Sequence, residues 1–172
     1  MLYKNLFMYS LAVKNATKRF VDTYGDGIAK AIKGTNLYFP VIVAQKALES
    51  GWGRSGLTIE ANNFGGIKCA RSLSGVIGCI TKDTTEFKNG VRYNTKQSFS
   101  KFKDVESGIR ATIQVLMHSR YNNARNNART AVEQVRMIAI AGYTTTPANQ
   151  YVRLLKGIIE ATQDYNGIGK IP

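Results

Sequence analysis

Apolar residues over positions 1–33 recur on one helical face, at Val13, Phe20, Val21, Tyr24, Ile28 and Ile32, the spacing of an amphipathic helix. Gly25 and Gly27 fall inside this run and are expected to interrupt it, and Gly34, Thr35 and Asn36 end it. Pro40, after Tyr38 and Phe39, suits the first turn of a second helix. Val41, Ala44, Gln45 and Leu48 follow at helical spacing, and Gly51 and Gly53 stop the helix just past Glu49. A short helix is expected from about Ser55 to Ala61, closed by a compact turn over Asn62, Asn63, Phe64, Gly65 and Gly66.

From Gly75 to Phe99 the pattern changes. Val76, Ile77, Ile80, Thr81, Thr84, Thr85, Phe87, Val91, Tyr93 and Thr95 are strand-favouring types. Asn89-Gly90 between two such runs is a strong hairpin signal. Helical spacing returns at Val105, where Ile109, Ile113, Leu116 and Met117 mark an inward stripe running to Tyr121. Asn122, Asn123, Asn126 and Asn127 mark a polar turn. Thr130 to Ala141 reads as a helix with Val132, Val135, Ile138 and Ala139 inward and Gly142 as its stop. Thr146 and Pro147 open a last helix as N-cap and first residue, lined by Tyr151, Leu154, Leu155, Ile158 and Ile159, with Gly167–Pro172 as a tail.

The expected fold class is therefore mainly α (α+β): one domain over residues 1–172, in two lobes, with a small inserted β-hairpin lobe at about 75–100 and a cleft between hairpin and helices. With 44% hydrophobic and 20% charged residues, the chain supports a packed core rather than disorder.

Twenty-four Lys and Arg against 11 Asp and Glu leave a net charge of +13, which favours polyanionic surroundings such as nucleic acid, anionic lipid or envelope polymers. The basic residues are scattered, so the same charge also suits a solvated surface. No helix-turn-helix or aromatic RNA-binding signature is present, and nucleic acid is not an expected partner. Cys69 and Cys79 leave a disulfide open outside a reducing cytosol. They form no zinc site, and neither a metal nor an organic cofactor is expected. No apolar run reaches transmembrane length. The apolar stretch Leu6–Val13 runs directly into Lys14, Lys18 and Arg19 and is read as the start of the folded domain rather than a signal peptide. Export or release by another route follows from that reading.

The chemistry centres on Glu49. An acid at a helix C-terminus is disfavoured by the helix dipole, so its position there asks for a reason. Glycosidic cleavage needs a proton donor to the leaving oxygen and usually a second group to assist water or the developing cation. Trp52, beside Glu49 in sequence, is expected to desolvate the acid and keep it protonated. Glu86, just before the hairpin turn, is the expected second carboxylate facing Glu49 across the cleft, with Asp83 a near competitor. His118 is read as structural.

These residues stand in motifs that resemble a known family. Ala47-Leu48-Glu49-Ser50-Gly51-Trp52-Gly53 and Asn63-Phe64-Gly65-Gly66-Ile67-Lys68 are similar to segments of the glycoside hydrolase family 73 β-N-acetylglucosaminidases, which include flagellar and autolysin peptidoglycan hydrolases. The likeness continues through Thr84-Thr85-Glu86-Phe87-Lys88-Asn89-Gly90, Phe99-Ser100-Lys101-Phe102 and the run from Ala141 to Tyr151. It covers roughly residues 37–160 in the family's order, and collinear motifs are stronger than one alone. Two departures stand out: an extra glycine at Gly65-Gly66, and Thr144-Thr145-Thr146-Pro147 where the family usually has Ala-Thr-Asp-Pro.

The resemblance implies a lysozyme-like fold, Glu49 as general acid, Glu86 as second carboxylate on a mobile β-lobe, and Tyr143 in the cleft near the scissile sugar. It implies substrate contacts from Trp52, Asn63, Phe64, Thr145 and Tyr151. The expected activity is cleavage of the β-1,4 bond after N-acetylglucosamine in peptidoglycan, in the cell wall or periplasm, by an extracellular or virion-associated protein or a module of a larger assembly. Anionic envelope polymers are a further expected partner. A muramidase or lytic transglycosylase on the same fold, and a non-catalytic basic glycan or nucleic-acid binder, are the alternatives. The retaining, inverting or substrate-assisted course stays open, because carboxyl separations of about 5–5.5 Å or about 6.5–9.5 Å decide it.

Overall fold

The computed structural model describes residues 2–88 and 91–163, with side chains over 11–84 and 93–162. Seven helices and one hairpin follow in the order α1 Leu2–Ile32, α2 Phe39–Glu49, α3 Gly56–Ala61, β1 Val76–Lys88, β2 Val91–Phe102, α4 Val105–Ile113, α5 Asn122–Asn127, α6 Ala131–Ile140 and α7 Ala148–Gln163. The expected mainly-α plan with an inserted hairpin is what the chain forms. No helix among the described residues is long and apolar enough to cross a membrane.

α2 is the central element. Val41, Ile42, Val43, Ala44 and Ala47 are all fully buried, because α1, α6 and α7 pack around it and leave only its C-terminal end at a surface. A helix apolar all round belongs in a core. Leu48, expected inward, is 46% exposed. It marks where α2 emerges.

Gly25 and Gly27 do not interrupt α1, which continues to Ile32. A Cβ at Gly27 would lie 2.5 Å from Val105 Cγ1, so this glycine serves the close approach of α4. The stripe predicted to run as one helix to Tyr121 breaks after Ile113 into two 3₁₀ turns, Gln114–Met117 and Ser119–Tyr121. The break exposes Met117, and His118 joins the two turns on the surface rather than within a core helix. The asparagine-rich segment is a short helix, α5, rather than a turn. Leu154 on α7 faces solvent at 51% exposure, whereas Leu155, Ile158 and Ile159 are buried as expected. α7 begins at Ala148, with Pro147 supplying the carbonyl that accepts from Gln150 and Tyr151 nitrogens. The expected tail at Gly167–Pro172 lies outside the described residues.

The hairpin is a two-stranded antiparallel ribbon in register from Cys79 opposite Ser100 to Lys88 opposite Val91, with an irregularity near Val76 and Gly78. The expected turn residues Asn89 and Gly90 lie outside the described residues. An isolated ribbon of this kind is marginal in water, and here its base is anchored. Phe99, Ser100 and Phe102 are buried. Asn63 Nδ2 donates to Ser100 O at 2.9 Å, and Cys69 and Cys79 are joined in a disulfide with Cα atoms 5.6 Å apart. The 62–70 segment is thereby tied to both strands.

Candidate active site

Glu49 is the last residue of α2, and the local sequence explains why the helix stops there. Gly51, Trp52 and Gly53 take positive φ values of 57°, 61° and 76°, so three successive residues turn left-handed. The cost of a positive φ at tryptophan is offset by specific bonds. The Ser50 hydroxyl donates to Lys46 O at 2.5 Å, Gly53 N donates to Ser50 Oγ at 2.9 Å, and Trp52 N donates to Ala47 O at 2.7 Å. Gly53 then docks on α1, where Tyr24 Oη donates to its carbonyl at 3.2 Å and a Cβ would meet the Tyr24 ring at 2.3 Å.

The Glu49 carboxyl opens into a groove of about 580 Å³ lined by Lys46, Glu49, Gly65, Gly66, Ile67, Ala111, Thr112, Val115 and Tyr143. Four segments build it: the end of α2, the loop at 65–67, α4 with the 3₁₀ turn after it, and the loop between α6 and α7. Its described lining lies between the helices and the 65–67 loop, which is bonded on its other side to the hairpin base. Gly65 is required by packing, since a Cβ there would lie 2.7 Å from Thr112 Cγ2 and 4.0 Å from Glu49 Oε2.

Both carboxyl oxygens of Glu49 are held. Lys46 Nζ lies 2.5 Å from Oε2, and Tyr143 Oη donates to Oε1 at 3.0 Å. Tyr143 reaches this position through the C-cap of α6. Gly142, at φ 86°, donates to Ala139 O at 3.0 Å, and Tyr143 N donates to Ile138 O at 3.3 Å. Its ring sits 6.5 Å from that of Tyr121 and 6.2 Å from that of Tyr151. Burial, and then the negative charge of Glu49, push the Tyr143 phenol well above the usual tyrosine range, so it remains a hydrogen-bond donor. Burial likewise raises Tyr151 to about 12, opposed by the bond its oxygen accepts from Gln45 Nε2 at 3.1 Å.

The other expected site residues divide by location. Trp52 does not line the groove. It lines two hollows on the α1 side, one with Arg19, Phe20 and Tyr24 and one with Val13, Leu48 and Leu154. The expected desolvation of Glu49 by Trp52 is thus replaced by direct contact with Lys46 and Tyr143. Phe64 is 1% exposed and packs edge-on against Tyr24 with centroids 5.1 Å apart. It is a core residue rather than a sugar contact. Asn63 is 1% exposed. Its amide donates to Ile67 O and Ser100 O, both at 2.9 Å, and accepts from Ile67 N at 2.9 Å, which fastens the groove loop to the hairpin and leaves it unavailable to substrate. Tyr151 is buried behind Tyr143 and supports it. Thr145 is exposed on the α6–α7 loop, outside the groove lining. Glu86 lies on β1 opposite Tyr93. By register it stands beyond Cys79 by about 23 Å of strand, at about 3.3 Å per residue, and its side chain lies outside the described residues. Asp83 is exposed opposite Lys96. Among the described residues lining the groove, Glu49 is the single carboxylate.

Lys46 is the site residue that sequence reading missed. It is 2% exposed. Within an apolar helix a lysine ordinarily reads as a surface position, and only its spacing three residues before Glu49 hinted at a pair.

A sequence profile of the glucosaminidase family, described as mannosyl-glycoprotein endo-β-N-acetylglucosaminidase, matches residues 25–164. The chain belongs to the glucosaminidase family of glycoside hydrolases. The peptidoglycan hydrolase FlgJ of Salmonella typhimurium is 32% identical over 124 residues, which are 70% of this chain and 38% of that protein. FlgJ of Pseudomonas aeruginosa is 29% identical over 132 residues, 74% of this chain and 32% of that protein. The chain thus spans about a third of the length of these relatives. Among solved structures, the catalytic domain of the autolysin Auto from Listeria monocytogenes superposes with a TM-score of 0.72 at 26% identity, covering 86% of this chain and 85% of that one. A C-terminally truncated glycoside hydrolase domain of Salmonella typhimurium FlgJ gives 0.67 at 26% identity, covering 86% and 98%. The glucosaminidase domain and the lysozyme-like fold implied by the motifs agree with these neighbours.

Proposed function

We propose that this glucosaminidase-family chain cleaves peptidoglycan at the β-1,4 bond after N-acetylglucosamine, with Glu49 as the general acid. The observation that carries the reading is Glu49 itself, a carboxyl fixed at both oxygens in a groove whose described lining holds no other acid. In the step, the Glu49 O–H bond breaks and its proton passes to the glycosidic oxygen. The C1–O bond breaks with its electron pair left on that oxygen, and positive charge develops at C1. Water, or first the oxygen of the sugar's own 2-acetamido group and then water, bonds to C1; the water's hydroxyl stays on C1 and its other proton returns to the Glu49 carboxylate. A groove with one described carboxylate favours the substrate-assisted course, in which Glu86 on the ribbon orients or stabilises rather than attacks. Tyr143 holds the carboxyl in its proton-donating orientation.

The substrate partner is the glycan strand, and the +13 charge suits a site of action among anionic envelope polymers. On this reading the work is done in the cell wall or periplasm, by an extracellular or virion-associated protein or a module of a larger assembly. The test is digestion of purified sacculi with wild type, Glu49→Gln and Glu86→Gln, followed by mass spectrometry. New N-acetylglucosamine reducing ends, lost in Glu49→Gln, are expected. N-acetylmuramic acid reducing ends would instead make it a muramidase, and anhydro ends a transglycosylase. Full activity of Glu49→Gln would remove Glu49 as the acid.

A further inference from the structure

Lys46 is 2% exposed, and among the described residues its ammonium meets one partner, Glu49 Oε2 at 2.5 Å. A cation removed from water is costly unless paired. The chain nonetheless keeps one beneath the groove, in the last turn of its most buried helix. Among the described residues, the titratable groups facing Glu49 are Lys46 on α2, Tyr143 after α6 and Tyr151 on α7. The loop at 65–67 and α4 bring Gly65 and Thr112, which carry no charge. Of these neighbours only Lys46 responds to the charge on Glu49 with full electrostatic attraction. Tyr143 contributes a neutral donor.

We propose that Lys46 is a positioning residue whose buried ammonium holds Glu49 Oε2 and stabilises the carboxylate left when the proton passes to the glycosidic oxygen. This rests on Glu49 being the acid. Lys46 exchanges no proton with substrate. Its attraction is weak while Glu49 is protonated and full once the proton has gone, so it is an interaction strengthened along the reaction.

The experiment uses the chain with Lys46→Met and Lys46→Gln, assayed on soluble peptidoglycan fragments across pH 4–9. Methionine fills the lysine stem without charge, and glutamine keeps a donor without charge. Both are expected to lower kcat about tenfold, with KM held within about twofold. A wild-type profile in both variants overturns the proposal, as does a wild-type profile in Lys46→Gln alone, which would reduce Lys46 to a hydrogen-bond donor. Should Lys46→Met fail to fold, the Gln variant carries the test. Glu49→Gln run alongside separates the two readings: if it stays active the acid assignment fails, whereas if it is inactive while the Lys46 variants keep wild-type kcat only the role of Lys46 fails.

Discussion

The Tyr143 hydroxyl donates to Glu49 Oε1 at 3.0 Å, joining the end of α2 to the cap of α6. Its phenol is half-buried in the groove wall and held above its ordinary titration range, so it is a neutral donor around neutral pH. Tyr143→Phe removes that donor and leaves the ring stack with Tyr121 and Tyr151. The expected result is a kcat loss of about 10–100-fold with KM little changed, because a mispositioned acid costs reaction rather than binding. Stability should fall by only about 1 kcal/mol. Initial rates on peptidoglycan together with a denaturant melt check both.

Glu49→Gln should be inactive and also less stable. The substitution leaves Lys46, 2% exposed, without its carboxylate, and removing one partner of a buried pair costs about 3–5 kcal/mol. The discount for the one-third exposure of Glu49 brings the expectation to about 2–3 kcal/mol. Combining Glu49→Gln with Lys46→Met should recover most of that loss while remaining inactive. Equal melting midpoints for Glu49→Gln and wild type would show that the pair contributes nothing to the fold.

Asn63→Ala separates two roles for one residue. A substrate contact would raise KM in a stable protein. The bonds from Asn63 to Ile67 and Ser100 predict instead a stability loss of about 2–4 kcal/mol and a groove loop loosened from the hairpin base. Chemical denaturation and amide exchange over residues 63–67 and 98–101 read this directly.

The residues that were legible in the sequence are those whose chemistry and local breaks coincide. Glu49 stands where a helix stops, and Tyr143 follows a glycine cap, so motif and geometry agree on both. The long helices and the two strands of the hairpin followed from periodicity and residue type, whereas α5 and the break after Ile113 did not. Long-range packing was not legible. Gly27 reads as a breaker but answers to Val105 on α4. Trp52 reads as a sugar platform, yet a run of three positive φ values turns its ring toward α1. Phe64 and Asn63 lie in a motif of the site but serve the core and the loop. Lys46 is invisible by composition, since only the fold shows that α2 is buried on every side.

Cys69 and Cys79 close a short loop, at a sequence separation of 10, that carries the base of β1 onto the groove segment. Chain entropy assigns such a closure about 2–3 kcal/mol. Reduction, or Cys79→Ser, is expected to lower the melting midpoint by that equivalent and to free the 62–70 segment. Activity should then fall more at elevated temperature than at 25 °C, because the groove wall opens before the helical core does. Thermal melts and rates with and without reductant test it. Identical curves would mean that Asn63 and the buried Phe99 and Phe102 hold the hairpin base unaided.

Alkaline pH should unfold the chain through its tyrosines. Tyr151 is raised to about 12 by burial, against about 10 in the unfolded chain, so the folded state keeps its proton where the unfolded state has lost it. A raised value means stability that is fully present below pH 10 and lost as pH climbs toward 12, amounting to at most about 3 kcal/mol for this residue. Tyr143 is raised in the same direction and extends the loss above that window. Tyr151→Phe keeps the ring, removes the titration and gives up the bond from Gln45. Its melting midpoint should lie slightly below wild type at pH 7 and fall less steeply between pH 10 and 12. Parallel slopes for the two proteins over that window would show that the Tyr151 phenol is open to solvent rather than sealed behind Tyr143.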